Sequence, residues 1–349
     1  MYRIHDNLPV RVRTTNRARH KKMKSMLLLL LLSTVLTIVS CSSQTNSCEI
    51  VFDTKNNQVD RITELWKGKP ITTILPKSNN SDDLKLPLIV FMHGSTGQIE
   101  MYDDVLNLWV ANGFVVAFPY VKSPEKDKSP FTTNTNGEYI LRAIEYLHFQ
   151  ANSNTSSLLY SRVDTQNIVI AGHSMGATCA IKGGERSMTD DRVPKGSVKL
   201  VSTQHPGICG PFGPPPLPAT WMPSDMESVL SSYPVLHTTA TNDNAFWPAP
   251  NTAVHELGCF EKSTKTNNTH IATFVQFSAE ACKDEPYGQW NAGGHNCPFK
   301  KNVEAPWIVV AAKLYTYQNG DMNSPCAKLL YGGGLNDNKD VEKVLFRNL

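Results

Sequence analysis

The chain has 349 residues, of which 40% are hydrophobic and 19% are charged. These proportions are typical of a globular protein, and they exclude a wholly disordered chain, a collagen-like repeat and a polytopic membrane protein. The formal net charge is +3, so the position of the basic residues decides whether a nucleic acid is a candidate partner.

The basic residues are concentrated at the amino terminus. Residues 1–25 carry eight Lys and Arg side chains against one acid, Asp6, so the remaining chain has 26 basic and 30 acidic residues. The basic tract leads into an apolar run, Met26–Val39, that contains six consecutive leucines. A basic segment followed by an apolar run too short for a comfortable bilayer span is typical of an export signal. We therefore expect residues 1–41 to be an export signal that is removed, and we expect no nucleic-acid partner.

The residues after the apolar run indicate where the exported protein is located. The sequence Ile38-Val39-Ser40-Cys41 resembles a bacterial lipobox, in which Cys41 would be lipidated and would attach the protein to a membrane on the extracytoplasmic side. Cleavage nearby and free secretion is the alternative. Either route exports the chain, and its eight cysteines then favour disulfide bonds over free thiols.

Short apolar runs alternate with amphipathic segments along the rest of the chain. Runs without polar alternation predict strands that are buried on both faces, as in parallel sheets. The predicted strands are Leu88–Met92, Gly113–Tyr120, Asn167–Ala171, Val198–Thr203, Pro234–Thr241 and Ile271–Phe277. Helical patterns lie between or after them, at Asp103–Ala111, around Ile140–Leu147 and at 306–318. This order predicts an α/β fold, a mainly parallel open sheet with helices on both faces.

These elements fit a single catalytic domain over residues 47–349. The Pro- and Gly-rich stretch 206–223 predicts a long surface loop within that domain and not a linker between two domains.

The residues Gly172-His173-Ser174-Met175-Gly176 form a G-x-S-x-G motif. The motif follows the predicted strand that ends at Ala171, and small residues compatible with a helix come after it. A turn from strand to helix holds the serine at a strained backbone angle, and flanking glycines let neighbouring backbones approach closely. We therefore predict Ser174 as a nucleophile. The alternative is a tight turn with an incidental serine.

A serine nucleophile requires hydrogen-bond donors for the oxyanion that it creates. Met175 follows Ser174 at the predicted helix start, so its backbone N–H is the first candidate. The loop after the strand Leu88–Met92 supplies the second, and we expect this donor to be the N–H of Ser95. His93 in the same loop is expected to hold the loop in place and not to act in catalysis.

The acid should follow the serine and precede the histidine in the chain. Asp243 lies directly after the predicted strand Pro234–Thr241 and is the predicted acid. Asp190 and Asp191 come too soon after the serine. Glu256 lies in a predicted helix, where a solvated position is expected.

Five histidines are candidates for the base. His295 lies in the Gly-rich segment 291–297 ahead of the last long helix, a position from which a side chain reaches the carboxyl end of the sheet. His270 precedes the predicted strand Ile271–Phe277 and is the second choice. The others are expected to pack locally or to lie before or too near the acid: His205, His237 and His255. We predict His295 as the base.

Four segments resemble a known family. They are Val163-Asp164-Thr165 with Ile168–Gly176, Gly113-Phe114-Val115-Val116, Asn242-Asp243 with Pro248-Ala249-Pro250, and Gly293–Cys297. They are similar to the nucleophile, strand, acid and histidine segments of the α/β-hydrolase superfamily, in its dienelactone-hydrolase and cutinase-like polyester-hydrolase branch. The resemblance covers about residues 85–330, and the chain departs from the family's pattern in the loop 206–223 and around Cys259–Cys282.

The resemblance implies an α/β-hydrolase fold and a serine carboxylesterase or lipase-like activity with a Ser174–His295–Asp243 triad. The substrate would be a small-molecule, lipid or polymer ester, and no cofactor or metal would be required. The late cysteines and histidines also lack the spacings of zinc sites. A hydrolase-fold binding protein with little or no catalytic activity is the alternative.

The resemblance also implies a disulfide bond between Cys297 and Cys326. A second pair, Cys259 with Cys282, would bracket the predicted strand Ile271–Phe277. Spacing alone does not define the connectivity.

Aromatic residues on predicted loops are candidates for lining a substrate cleft. They are Tyr102, Trp221, Phe246, Trp247 and Trp290. Trp247, four residues after Asp243, is the first choice, and scattered packing is the alternative for each of them.

Overall fold

The sheet at the centre of the protein carries helices on both faces. The computed structural model describes residues 47–54, 58–77, 85–95, 97–120, 137–210, 219–245, 251–265, 269–283 and 293–349. The predicted export signal, with Cys41, lies outside these residues. Cys48–Leu349 form one compact unit of the α/β class. None of the helices in the described ranges has the length and apolar character needed to cross a membrane.

In the described part of the chain, nine strands form one mixed sheet in the order β1-β2-β4-β3-β5-β6-β7-β8-β9. Their bounds are Val59–Trp66 (β1), Lys69–Pro76 (β2), Leu86–Met92 (β3), Val115–Pro119 (β4), Val163–His173 (β5), Val198–Gln204 (β6), Val235–Ala240 (β7), Ala272–Phe277 (β8) and Val341–Arg347 (β9). The six strands from β3 to β8 pair in parallel, whereas β1, β2 and β9 join antiparallel.

The six parallel strands correspond to the six predicted apolar runs. The three antiparallel strands were not predicted, because they lie towards the margins of the sheet and contain many polar or half-exposed residues. The edge strand β1, for example, reads Val-Asp-Arg-Ile-Thr-Glu-Leu-Trp and contains no buried residue. An edge strand of this composition gives no continuous apolar signal.

Seven α-helices are found among the described residues. Their bounds are Asp103–Ala111 (α1), Glu138–Asn152 (α2), Met175–Ser187 (α3), Pro223–Leu230 (α4), Asn251–Ser263 (α5), Ala305–Thr316 (α6) and Pro325–Tyr331 (α7). Helix α1 has the predicted bounds, and Gly113 after it has a φ of 91°, which favours glycine. Helix α6 begins one residue earlier and ends two residues earlier than predicted.

Two hydrophobic cores cover the two faces of the sheet. Successive strand residues point to opposite faces, so Ile168 and Ile170 of β5 lie in one core and Val169 and Ala171 in the other. Helices α2, α3 and α4 cover the first core, and α1, α6 and α7 cover the second. This two-sided burial explains why the central strands are apolar without alternation.

The disulfide connectivity differs from the predicted one. The bonds are Cys48–Cys326, Cys209–Cys259 and Cys282–Cys297. The predicted pairs Cys297–Cys326 and Cys259–Cys282 are therefore wrong. Cys179 is the remaining cysteine among the described residues, and it is buried with a free thiol.

The sheet itself prevents the second predicted pair. Cys259 belongs to the core on one face, whereas Cys282 belongs to the core on the other, so the strands separate them. Cys282 instead meets Cys297, which lies in the 3₁₀ helix Gly294–Phe299.

Cys326 forms its disulfide bond with Cys48, the first residue of the compact unit. Two further contacts hold this amino-terminal segment: Lys313 Nζ donates to the Glu49 carbonyl at 2.6 Å, and the Asn112 amide exchanges hydrogen bonds with the Val51 backbone. The segment thereby carries Cys48 to Cys326, a pairing across 278 residues of chain that local spacing does not indicate.

Candidate active site

Ser174 lies on a strained turn between β5 and α3. Its φ of 57° and ψ of −122° are unusual for a residue with a side chain. The turn is possible because Gly172 and Gly176 have no Cβ atoms. A Cβ atom on Gly172 would lie 2.1 Å from the Gly176 carbonyl oxygen, and one on Gly176 would lie 2.0 Å from the Met92 carbonyl oxygen. The G-x-S-x-G motif therefore has the strand-to-helix setting that its sequence context predicted.

The structure brings Ser174, His295 and Asp243 together. The distance from Ser174 Oγ to His295 Nε2 is 2.9 Å, and the distance from His295 Nδ1 to Asp243 Oδ2 is also 2.9 Å. The acid follows β7 and the histidine opens the 3₁₀ helix before α6. A short β-bridge between Asp243 and Gly293 aligns these two segments.

The direction of the hydrogen bonds defines the histidine tautomer. A carboxylate only accepts, so the Nδ1 atom of His295 carries the hydrogen and donates it to Asp243. Nε2 is then free to accept the hydroxyl proton of Ser174. This is the geometry by which a histidine can deprotonate a serine.

Burial increases the electrostatic effect of the acid. Asp243 is fully buried, and Ser174 and His295 are each only 7% exposed. Burial by itself raises the pKa of Asp243, but the charges and hydrogen bonds of His295 and His205 outweigh this effect and hold the pKa well below its usual range. Asp243 is therefore ionised at neutral pH.

A second histidine contacts the same carboxylate, and sequence reasoning had assigned it no role. His205 Nδ1 lies 2.7 Å from Asp243 Oδ2, and His205 Nε2 lies 2.7 Å from Glu304 Oε1. The only sequence signal was a polar pair, Gln204-His205, at the carboxyl end of a buried strand.

Glu256 is also misplaced by the sequence reasoning. Its side chain is 3% exposed on α5, so the predicted solvated position is wrong. Burial, followed by the charge of Asp243, raises the pKa of Glu256 well above its usual value. This environment favours the protonated form of Glu256.

One of the two predicted oxyanion donors, Met175, follows Ser174 directly, and the loop that contains the other approaches Ser174 at Gly94. Met175 is the first residue of α3, where backbone N–H groups have no acceptor within the helix. Ser95 is exposed in the loop after β3. Its neighbour Gly94 packs so closely that an added Cβ atom would lie 3.1 Å from Ser174 Cβ.

His93 has a structural environment in this loop. It is 2% exposed, and its Nδ1 atom lies 2.7 Å from the Gly94 carbonyl oxygen. Burial lowers the pKa of His93 to about 4, so the ring is neutral. These contacts agree with the predicted role of holding the loop.

A hydrogen-bond chain connects the loop after β3 to the segment that contains His295. His173 Nε2 donates to the His295 carbonyl oxygen at 2.8 Å, so His173 Nδ1 must accept the hydroxyl hydrogen of Tyr102, also at 2.8 Å. The Tyr102 oxygen in turn accepts from Gly94 N–H at 3.0 Å. Tyr102 is fully buried, so its predicted place on a cleft wall is wrong.

The other predicted cleft aromatics do not gain support. Trp221 is 1% exposed, and its indole N–H donates to the Gly207 carbonyl oxygen at 2.9 Å, so its side chain is buried and not on a cleft wall. Trp247, Phe246 and Trp290 lie outside the described residues.

The competing histidines do not reach Ser174. His270 precedes β8, so it lies at the amino end of a parallel strand, whereas Ser174 lies at the carboxyl end of β5. His237 is buried within β7 and contacts Thr203. Burial lowers the pKa of His237 to about 3.

Among the residues that the structure describes, two groups of side chains have ligand atoms close enough to hold a metal ion. In His205, Asp243 and His295 these atoms lie within 4.8 Å of one another, but both histidine Nδ1 atoms already donate to Asp243. In the second group, Cys282 and Cys297 form a disulfide bond and therefore have no thiolate to offer.

Comparisons with known proteins add no family to this geometry. No protein-family model matches the chain, and no curated protein matches it either.

Proposed function

We propose that this protein is an exported serine hydrolase that cleaves carboxylic esters through an acyl-enzyme. The observation that carries the proposal is the unbroken series of hydrogen bonds from Ser174 Oγ through His295 to Asp243. The strained backbone of Ser174 supports it, because strain of this kind is retained where it serves a site.

The α/β-hydrolase fold is part of the proposal. A central sheet of parallel strands with helices on both faces is compatible with that fold. The serine stands on a strand-to-helix turn, and the acid and histidine follow it in the order Ser, Asp, His, as in that superfamily.

The proposed reaction has two steps. His295 Nε2 takes the proton of Ser174, whose oxygen attacks the ester carbonyl carbon, while the N–H groups of Met175 and Ser95 stabilise the oxyanion. His295 then gives the proton to the departing alcohol. In the second step His295 deprotonates a water molecule that attacks the acyl-enzyme, and the returned proton restores Ser174.

Export is supported by two features. Residues 1–41 have the pattern of a removable signal, and three disulfide bonds suit an oxidising compartment. Attachment through a lipid on Cys41 and free secretion both agree with this proposal. Mass spectrometry of the mature amino terminus distinguishes them.

Ester turnover and active-site labelling test the function. The purified protein should hydrolyse short p-nitrophenyl esters and react with a fluorophosphonate probe at Ser174. Ser174→Ala should abolish labelling and reduce kcat by several orders of magnitude, about 10⁶-fold in the strongest comparable cases. Ser224→Ala, at an exposed position on α4, is the control and should label normally. A folded wild-type protein that neither labels nor turns over esters would favour the binding-protein alternative.

A further inference from the structure

His205, which contacts Asp243, forms a fully buried pair with Glu304. His205 stands between Asp243 and Glu304, with a distance of 2.7 Å from each ring nitrogen to a carboxylate oxygen. His205, Asp243 and Glu304 are all 0% exposed. Together with Ser174 and His295 they form a continuous chain of five side chains.

The hydrogen bonds define the charge of His205. Glu304 Oε2 accepts from Thr238 Oγ1 at 2.6 Å and from Gln204 Nε2 at 3.3 Å, and these two donors stabilise the ionised form of the carboxylate. Asp243 accepts from His295 at Oδ2 and from Ala245 N–H at Oδ1. With Asp243 and Glu304 both ionised, each ring nitrogen of His205 carries a hydrogen, which makes the ring an imidazolium.

The surrounding groups agree with this charge. The two carboxylates raise the pKa of His205 well above its usual value, although burial opposes them. Burial holds the pKa of His173 and of His237 well below the usual value, so both rings are neutral. Burial favours the protonated form of Glu256 as well. The hydrogen-bonded group of His205, Asp243 and Glu304 then contains one cation and two anions, so its net charge is −1.

The backbone at His205 is strained as well. Its φ of 47° lies in the left-handed region, which is uncommon for histidine. The backbone N–H of His205 donates to the Thr238 carbonyl oxygen at 2.8 Å, which compensates part of this cost. Such strain persists where the surrounding structure holds a side chain in a required position.

We propose that His205 and Glu304 are positioning residues for the hydrolysis reaction, which hold Asp243 ionised and directed at His295. This inference rests on the proposed function. A buried carboxylate without a cation would tend to take up a proton, and a protonated acid could not stabilise the imidazolium that forms on His295. The His205 cation offsets the burial of Asp243. Glu304 in turn stabilises the His205 cation, and one negative charge remains to balance protonated His295.

Nitrogen NMR of the histidine rings tests the charge directly. In ¹⁵N-histidine-labelled protein at about pH 8.5, where an ordinary histidine is neutral, His205 should show two protonated nitrogens. The His205→Gln spectrum assigns the signal by its disappearance. His237 is the internal control and should show one protonated and one bare nitrogen. A neutral ring at His205 would overturn the proposal, and this result does not depend on any enzymatic activity.

Kinetics of matched variants test the positioning role. Glu304→Gln preserves the shape but removes the charge, so kcat should fall about 10- to 100-fold with KM unchanged, and His205 should lose its second proton at a lower pH. His237→Gln, a buried histidine without a carboxylate partner, should lower stability without this loss of kcat. Unchanged kcat in a folded Glu304→Gln protein would overturn the proposal. If Glu304→Gln does not fold, the wild-type spectrum still decides it. Absent ester turnover with doubly protonated His205 would refute the proposed function, and the positioning role with it, but not the charge of His205.

Discussion

Ser174 and His205 are neighbours at the carboxyl ends of two adjacent parallel strands. His173 and Gln204 are the last residues of β5 and β6, and they pair in the register of these strands. The residue that follows each strand has a positive φ, 57° at Ser174 and 47° at His205. The Ser174 N–H donates to the Gln204 carbonyl oxygen at 2.9 Å. Two strained residues thus stand side by side, one directed at His295 and the other at the acid that orients it.

Replacement of the acid tests how much the site depends on its charge. Asp243→Asn should lower kcat by about 10⁴-fold, because an amide favours the wrong tautomer of His295 and does not stabilise its charged form. Steady-state hydrolysis of a p-nitrophenyl ester measures this. Asp103→Asn removes only a partly exposed ion pair with Arg61 and should keep kcat. Equal kcat values for the two variants would refute the assignment of Asp243.

The hydroxyl of Tyr102 should support both stability and catalysis. Tyr102→Phe leaves Gly94 N–H and His173 Nδ1 without partners in a buried place, which should cost about 1–3 kcal/mol of unfolding free energy and reduce kcat. Tyr317→Phe removes a hydrogen bond to the Gly113 carbonyl oxygen away from the site. This control should lose stability but not kcat, as urea unfolding and ester assays would show. A Tyr102→Phe protein with wild-type kcat would contradict the linking role.

Gly176, two residues after Ser174, should tolerate no side chain. Gly176→Ala would drive its Cβ atom into the Met92 carbonyl oxygen, so we expect either no folded protein or an unfolding free energy lower by about 3 kcal/mol or more. Gly258→Ala is the matched control on α5, where nothing lies within 4 Å of the added atom. It should stabilise the helix by about 0.5–1 kcal/mol. Thermal unfolding measures both variants, and similar melting temperatures would contradict this expectation.

Two disulfide bonds should have separable effects. Cys282–Cys297 closes a separation of 15 residues and holds the segment with His295, so replacing both cysteines by serine should reduce kcat and cost about 3 kcal/mol. Cys48–Cys326 closes 278 residues, so its removal should cost roughly 5 kcal/mol and leave kcat nearly unchanged. Urea unfolding and ester assays on the two double variants test whether one bond mainly supports kcat and the other mainly supports stability. A larger loss of kcat on removal of Cys48–Cys326 than on removal of Cys282–Cys297 would contradict this expectation.

The stability of the protein should depend on pH through Glu138. Hydrogen bonds from Arg192, Arg142 and Arg186 lower the pKa of Glu138 to about 2. A lowered carboxyl pKa contributes stability above the unfolded-state pKa near 4.5, and this contribution is lost as the pH falls toward 2.

Glu138→Gln should therefore destabilise the protein at neutral pH and much less in acid. Because the ion pairs are partly exposed, we expect a loss of about 1–2 kcal/mol at pH 7 that shrinks below pH 4.5. Urea unfolding at several pH values measures it. Glu342→Gln, at an exposed position on β9, should show no such trend, and a pH-independent loss in Glu138→Gln would refute the linkage.

Local signals account for the parts of the fold that could be predicted. The strand β5, the turn at Ser174 and helix α3 lie within one short stretch, where apolar runs, glycines and small residues act on neighbouring backbone. The parallel strands can be recognised in the sequence because burial on both faces requires continuous apolar runs. Asp243 and His295 follow from their positions after β7 and before α6, so the candidate site was within reach of sequence reasoning.

The contacts of His205 with Asp243 and Glu304 could not be predicted from the sequence. Glu304 precedes α6 and lies 99 residues from His205 in the chain, so only the packing of α6 against β6 brings the two side chains together. Helical periodicity likewise does not show that Glu256 faces other carboxyl groups instead of water. Sequence reasoning compared His205 with His295 as rival bases, whereas the two rings share one acceptor oxygen on Asp243.

By itself, the sequence determined the α/β class, the strand-to-helix turn at Ser174 and the segments from which an acid and a base could come. These features depend on short-range backbone preferences and on burial patterns along one strand or helix. The tertiary structure alone decided which cysteines pair, which carboxyl groups are buried and that His205 lies between Asp243 and Glu304. These features depend on strand order and on which face of the sheet a side chain occupies. A position can therefore have the same local sequence pattern in water or in a buried charged cluster, and only its distant neighbours distinguish the two.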